Sequence, residues 1–203
     1  MNDPKRNRNS LVYVALLAAI VGGIGVYMSG DAPRKEAVES RSGHRDFAVG
    51  PMAAFLVKAD RPLVPDLSFK DGKGADIKLS EWQGRVVLLN LWATWCAPCR
   101  KEMPTLANLQ KQLGSKDFEV VALSVDRKGI VASSAFLKET GADSLGLYVD
   151  ETTKSLDDLQ AFGLPVTVLI DRKGREIGRL LGPAEWTSAE AIALIKAAIA
   201  DAP

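Results

Sequence analysis

Cys96 and Cys99 are the only cysteines in the chain, and two residues separate them. So short a loop constrains the unfolded chain too little for the pair to act as a structural staple. A structural zinc site needs four ligands, and the single histidine, His44, lies far upstream. Three uses remain: dithiol–disulfide exchange, a soft metal such as Cu(I) held by few ligands, or no chemistry. Placement favours exchange. The two sulfurs stand at i and i+3 where a predicted helix opens, on one face and within bonding reach. Free amide N–H groups and the helix dipole would stabilise a thiolate on Cys96. Pro98 suits this first turn, where its missing N–H is not needed.

The elements that must hold this pair follow from pattern. Arg85 to Trp92 contains Val-Val-Leu-Leu-Asn-Leu, a nearly continuous apolar run expected of a strand buried on both faces. It leads directly into a helix predicted over Ala97 to Leu113, with Gly114 as its stop. Upstream, Pro65 to Lys70 reads as a short strand, turning at Asp71-Gly72-Lys73-Gly74 into Asp76 to Trp82. Downstream, strands are expected at Phe118 to Val125 and Leu145 to Val149, with helices at Ile130 to Thr140 and Thr153 to Phe162. Val166 to Asp171 and Glu176 to Leu181 form a hairpin, and Ser188 caps a last helix through Ile199. Such alternation gives an α/β fold with a central mixed sheet flanked by helices.

Leu11 to Met28 is uncharged, mainly apolar and about long enough to span hydrocarbon as a single helix. Lys5, Arg6 and Arg8 precede it, as in a signal anchor or a secretory signal. The length of the apolar run favours an uncleaved anchor over a cleaved peptide. Arg34, Lys35, Arg41 and Arg45 follow the span, so the positive-inside count does not fix orientation. The short tail favours an inside N-terminus and an exported C-terminal domain. The expected organisation is therefore a tail over 1–10, an anchor over 11–28, a linker with a short docking helix over 29–60, and the α/β domain over 61–203. Basic and acidic residues number 26 and 25 and are interspersed, which excludes the basic footprint of a nucleic-acid binder.

Trp95-Cys96-Ala97-Pro98-Cys99 resembles the active site of the thioredoxin superfamily. The longer run from Leu89 to Pro104 is similar to the membrane-anchored TlpA/ResA/CcmG branch, and Gly182-Pro183-Ala184-Glu185-Trp186 resembles its TlpA group. The resemblance covers residues 60 to 203. It implies that Cys96 is the exposed attacking sulfur and Cys99 the resolving one. It makes Pro165, in Gly163-Leu164-Pro165-Val166, a cis-proline that aims the Leu164 backbone at an extended partner peptide. Val166 stands where threonine is frequent in the family. Glu102 matches an acid of the ResA/CcmG branch, one helical turn past Cys99, able to relay a proton to the departing sulfur. Asn90 stands where thioredoxin has a buried acid. Trp95, with Ala97, Pro98 and Leu164, would contact the client, whereas Trp82, Trp92 and Trp186 read as packing residues.

The expected function is that of a thiol:disulfide oxidoreductase of the inner membrane, facing the periplasm and without cofactor or metal. By resemblance it keeps protein dithiols of copper-site assembly proteins or an oxidase subunit reduced, and draws electrons from a membrane donor of the DsbD/CcdA type. Cytochrome c maturation is a sister reading, and a Cu(I)-binding protein using the same two thiols is a different one. Direction depends on reduction potential, which the sequence pattern leaves open.

Overall fold

A computed structural model describes residues 44–201 of the chain. The expected span over residues 11–28 and the tail before it lie outside the described residues. Among the described residues, no helix is long and apolar enough to cross a membrane.

The sheet is built on the three apolar runs. β4 (Val86–Trp92) and β7 (Val166–Ile170) are buried at every position, and β5 (Phe118–Ser124) is nearly so. Around them stand β1 (Leu56–Val57), β2 (Ser68–Asp71), β3 (Asp76–Lys78), β6 (Tyr148–Val149) and β8 (Glu176–Leu181). The strand order is β1-β8-β7-β4-β5-β6-β2-β3. β4 and β5 pair in parallel, as do β5 and β6, while the other neighbours are antiparallel. The mixed sheet expected from the alternating pattern is thus present.

Alternate side chains of the central strands enter two cores. Leu88, Trp92, Val120 and Leu169 meet the apolar faces of α1 (Ala97–Leu113), α2 (Gly129–Glu139) and α4 (Ala189–Ala200). Val87, Leu89, Leu91, Val121 and Val168 point the other way, towards Phe69, Trp82 and Leu159. The second face is closed by the turn at 79–82 and by α3 (Lys154–Asp158) with the loop after it. Trp82, Trp92 and Trp186 are all buried, Trp92 stacking on Phe136 with ring centroids 4.8 Å apart. At the start of α4, the Ser188 side chain accepts from the Ala191 N–H, the capping expected from its position.

Three elements differ from expectation. The strand read over Leu145 to Val149 shrinks to two residues, because Leu145 closes a turn on Ala142 and Gly146 is pressed against the Tyr148 ring. The helix read over Thr153 to Phe162 stops at Asp158: Gln160 takes a left-handed φ of 53°, which a continuing helix does not permit. The strand expected from Pro65 starts at Ser68, since the Leu67 carbonyl is engaged by the Leu79 N–H.

The linker reading also gives way. Residues 44–60 belong to the fold: a 3-10 turn at Gly50–Met52 buries Met52, Phe55 enters the first core, and β1 pairs with β8. Gly178 on β8 lies under the Phe55 ring and the Leu56 carbonyl, where a Cβ would meet atoms at 2.5 and 2.6 Å. His44, given no role from the sequence, is buried near Asp201, and Arg61 donates to the same carboxylate at 2.8 Å. The domain therefore starts by residue 44, well before 61.

Candidate active site

β4 delivers the site. Beyond Trp92 the chain makes a tight turn in which the Cys96 N–H donates to the Ala93 carbonyl at 3.1 Å, and Cys96 becomes the N-cap of α1. Its sulfur accepts from the Cys99 N–H at 3.2 Å, so the sulfur occupies the place of a capping oxygen. Negative charge on that atom is favoured by the same amides and dipole. Cys96 and Cys99 are joined as a disulfide with Cα atoms 5.3 Å apart.

The expectation that Cys96 is exposed needs correction. Its residue is only 4% exposed, because the first turn of α1 folds the sulfur back onto the Cys99 amide and into the first core. Cys99 is 0% exposed, so an incoming sulfur still has Cys96 as its only point of approach in the pair. Around this opening Ala97 and Pro98 are exposed, and Trp95 is 67% exposed.

The Leu164–Pro165 peptide is cis, as expected, and the Pro165 carbonyl accepts from the Gly182 N–H at 2.9 Å. Val166 follows at once, paired with Leu91 of β4 on one side and Leu181 on the other. The loop therefore enters the sheet at the end of β4 that carries Cys96. Leu164 is half-buried, packed against both cores. Phe162, three residues before Pro165, is 98% exposed, a large apolar side chain that the sequence pattern places in a helix.

Glu102 sits one helical turn beyond Cys99 and is buried. Its Oε1 accepts from Asn90 Nδ2 at 2.9 Å, and its Oε2 accepts from the Ala184 N–H and the Trp186 indole N–H, both at 3.2 Å. Burial pushes the Glu102 carboxyl up to about 7, and these three donors offset only part of that effect. The segment Gly182 to Trp186 thus places two N–H groups on the acid. That contact spans more than eighty residues of sequence and leaves no local signal, so Trp186 read only as packing.

Because the folded pKa of Glu102 lies above its unfolded value of 4.5, the folded state binds the proton more tightly. Glu102 then subtracts nothing from stability below pH 4.5 and opposes folding increasingly as pH rises towards about 7. The expected loss over this window is roughly 3 kcal/mol. Chemical denaturation of the oxidised protein from pH 4 to 8 checks it: Glu102→Gln should flatten that part of the profile, and an unchanged profile refutes the assignment.

Asp126, missed from the sequence, steadies the other side. It is buried just past β5, and its Oδ2 accepts from both the Thr94 N–H and the Thr94 hydroxyl. Its Oδ1 accepts from the Lys128 N–H at 2.9 Å. Burial acts to raise the Asp126 pKa, but the Thr94 and Lys128 hydrogen bonds outweigh it and hold the carboxyl below its usual value. The turn carrying Trp95 and Cys96 is fixed by this carboxylate. An aspartate ending an apolar strand at the site's end of the sheet was the available signal. Arg100, next to Cys99 in sequence, lies over the Phe136 ring at 4.5 Å and pairs with Glu139 at 2.9 Å. Among the described residues no group of three His, Cys, Asp or Glu side chains could share a metal ion.

A disulfide at a helix N-terminus, approachable only through Cys96 and backed by a buried acid, has thiol exchange as its chemistry. This is a thiol–disulfide oxidoreductase domain of thioredoxin fold. Residues 58–195 match the Redoxin family, and the chain belongs to that family, within its TlpA/ResA/CcmG thioredoxin-like group. Thiol-disulfide oxidoreductase ResA of Bacillus subtilis is 35% identical over 118 residues, 58% of this chain and 65% of ResA. Thioredoxin-like protein YneN of the same organism is 36% identical over 113 residues, 54% of this chain and 64% of YneN. The match thus spans just under two thirds of each relative. A solved structure assigned as thiol:disulfide interchange protein DsbE, from Chlorobium tepidum, is 30% identical with a TM-score of 0.61. The superposition covers 68% of this chain and 96% of that one.

Proposed function

We propose that the whole protein is a membrane-anchored thiol:disulfide oxidoreductase that works as a reductase outside the cytoplasm, converting client disulfides to dithiols. The observation that carries this reading is the pairing of a helix-capping Cys96 with a buried acid one turn beyond Cys99. In the reduced protein the Cys96 thiolate attacks a client disulfide. One client sulfur joins Cys96, and the other leaves as thiolate. Cys99 then loses its proton and attacks the Cys96 sulfur, which closes the Cys96–Cys99 bond and releases the client in its dithiol form. Glu102, with a pKa near neutrality, is suited to take the Cys99 proton and to return it in the reverse step.

The apolar run at 11–28 supports an inner-membrane anchor with the domain facing the periplasm. The Gly182 to Trp186 segment supports copper-site assembly proteins or an oxidase subunit as clients; apocytochrome c is the alternative client, and trapping with a Cys99→Ser chain separates the two. An oxidising compartment requires a dithiol donor to reset the site, and a membrane donor of the DsbD/CcdA type fits that need.

Equilibrating the full chain with glutathione or thioredoxin couples measures its potential. The expected value lies between the glutaredoxin and thioredoxin range, roughly −200 to −270 mV. A potential close to that of DsbA, roughly −120 mV, sinks the reductase reading.

A further inference from the structure

Trp186 ends a segment that is tied down on both sides. The Gly182 N–H donates to the Pro165 carbonyl at 2.9 Å, which fixes the start of the segment to the cis-proline loop. At the other end the Trp186 backbone N–H donates to Thr105 Oγ1 at 3.3 Å, and the Thr105 hydroxyl donates to the Glu102 carbonyl at 2.8 Å. Between them the Ala184 N–H reaches Glu102 Oε2 at 3.2 Å. The indole is therefore held from its own backbone, and its N–H meets the same Oε2 at 3.2 Å.

Packing alone does not account for that contact. Trp92 is just as buried, lies in the same core, and its indole N–H has no hydrogen-bond partner among the described residues. A phenylalanine would fill much of the space of Trp186, but it would take a donor away from a buried carboxyl. Every group hydrogen-bonded to the two carboxyl oxygens is a donor: Asn90 Nδ2 on Oε1, the Ala184 N–H and the indole N–H on Oε2. Such a set favours the ionised form, which only accepts, while burial favours the neutral one. Among the described residues no titratable side chain of another element bonds to this acid. β4 presents Asn90, β7 presents Thr167, bonded in turn to Asn90, and the 182–186 segment presents N–H groups. Lys101 and Glu185 are exposed, Glu185 accepting from the Thr187 N–H, and Glu190 of α4 lies beside Gly50. On α1 the titratable neighbour is Cys99, one turn before Glu102, once the disulfide is reduced.

We propose that Trp186 is a positioning residue for the resolving step: its indole N–H holds Glu102 as the acceptor of the Cys99 proton. This rests on the redox reading above and deepens it. As Cys99 attacks the mixed disulfide, its proton passes to Glu102. The Cys99–Cys96 bond forms, the Cys96–client bond breaks, and the client sulfur departs with the electron pair. The acid takes that proton only if it starts out ionised, and with a pKa of about 7 roughly half of the molecules are so at neutral pH. Withdrawing one of the three donors lets burial win, so that Glu102 stays protonated and the step lacks its base. Trp186 thereby acts on Cys99 through Glu102.

Two measurements on the full chain in detergent test this. The reduced protein is reacted with dithiobis(nitrobenzoate): Cys96 takes up one nitrothiobenzoate, and Cys99 then expels it. Release of that coloured thiolate times the resolving step. Its rate against pH is expected to bend near 7 in wild type, and Glu102→Gln to remove the bend. Trp186→Phe should move the bend upward by about one pH unit, because the ionised carboxylate loses a charge-assisted donor. At pH 7 resolution should slow by about fivefold, and the deficit should close as pH rises past the new bend. In the Glu102→Gln background Trp186→Phe should add nothing further. An unmoved bend, or a slowing that persists at every pH and without Glu102, overturns the proposal. Should the phenylalanine variant fail to fold, the indole N–H of Trp186 in oxidised wild type is followed by ¹⁵N NMR from pH 5 to 9. Its signal should shift with a midpoint near 7 and stay fixed in Glu102→Gln; a fixed signal in wild type refutes the assignment. A chain that exchanges no protein disulfide at all defeats the redox reading, and the two titrations still decide whether Trp186 governs Glu102.

Discussion

Replacing Cys99 with serine is expected to leave a protein that attacks its clients and cannot release them. Membranes carrying the Cys99→Ser chain should accumulate mixed disulfides that vanish on reduction, while catalytic turnover of protein disulfides falls to the uncatalysed level. The reason lies in the unequal placement of the two sulfurs. Cys96 is the only one of the pair with a path to the surface, and it retains the helix-terminal amides that favour its thiolate. Cys99 is sealed in the core and reaches Cys96 alone, which confines it to intramolecular release. Cys96→Ser should abolish both turnover and adducts, since serine is no nucleophile towards a disulfide and the buried Cys99 sulfur has no access to a client. Diagonal gels of membrane extracts, followed by mass spectrometry of the adducts, read both outcomes. Copper-site or oxidase proteins among the captured partners support the client assignment, and apocytochrome c in their place redirects it. A Cys99→Ser chain that still turns over, or adducts formed equally by Cys96→Ser, would reverse the assigned roles.

The parts of this site that were readable from sequence are those fixed locally. Cys96, Pro98 and Cys99 share one helical turn, and their spacing alone places the sulfurs together. The strand before them was readable because Val86 to Trp92 is buried on both faces, which removes the polar alternation of a half-exposed strand. The two-residue β1 and β6 carry no such signature, because pairing is decided by what β8, β5 and β2 present to them. Glu102 was visible as a residue one turn past Cys99. Its partners Asn90, Ala184 and Trp186 come from β4 and a loop far along the chain, so its burial and raised pKa belong to the tertiary structure. Phe162 shows the converse failure. A helix reading hid it, while a left-handed Gln160 ends the helix early and leaves the aromatic ring in solvent beside the cis-proline loop.

Removing residues 44–57 is expected to unfold the domain or bring it close to that limit, although every cysteine and acid of the site remains. Met52 and Phe55 are almost fully buried in the same core that holds Cys96, Cys99 and Trp186. Losing their burial costs about 1.5–3 kcal/mol for each side chain. The loss of β1 also frees the edge of β8, a strand with Gly178 at the very place where Phe55 and Leu56 had covered it. The Lys58 N–H, which donates to the Ile177 carbonyl at 2.8 Å, would be left at a frayed end. Against a total stability of about 5–15 kcal/mol for an ordinary domain, such losses take a large share. Urea unfolding of fragments 44–203 and 58–203 makes the comparison, with circular dichroism and tryptophan fluorescence as probes. The shorter fragment should unfold at a much lower urea midpoint or show no cooperative transition, and it should aggregate through the uncovered edge. A point variant separates packing from chain length: Gly178→Val drives a side chain into the Phe55 ring and the Leu56 carbonyl, and should lower the midpoint in the longer fragment. Equal midpoints for the two fragments would return residues 44–57 to the status of a linker. They would also remove the reason for treating the buried Met52 and Phe55 as part of what holds the redox site in place.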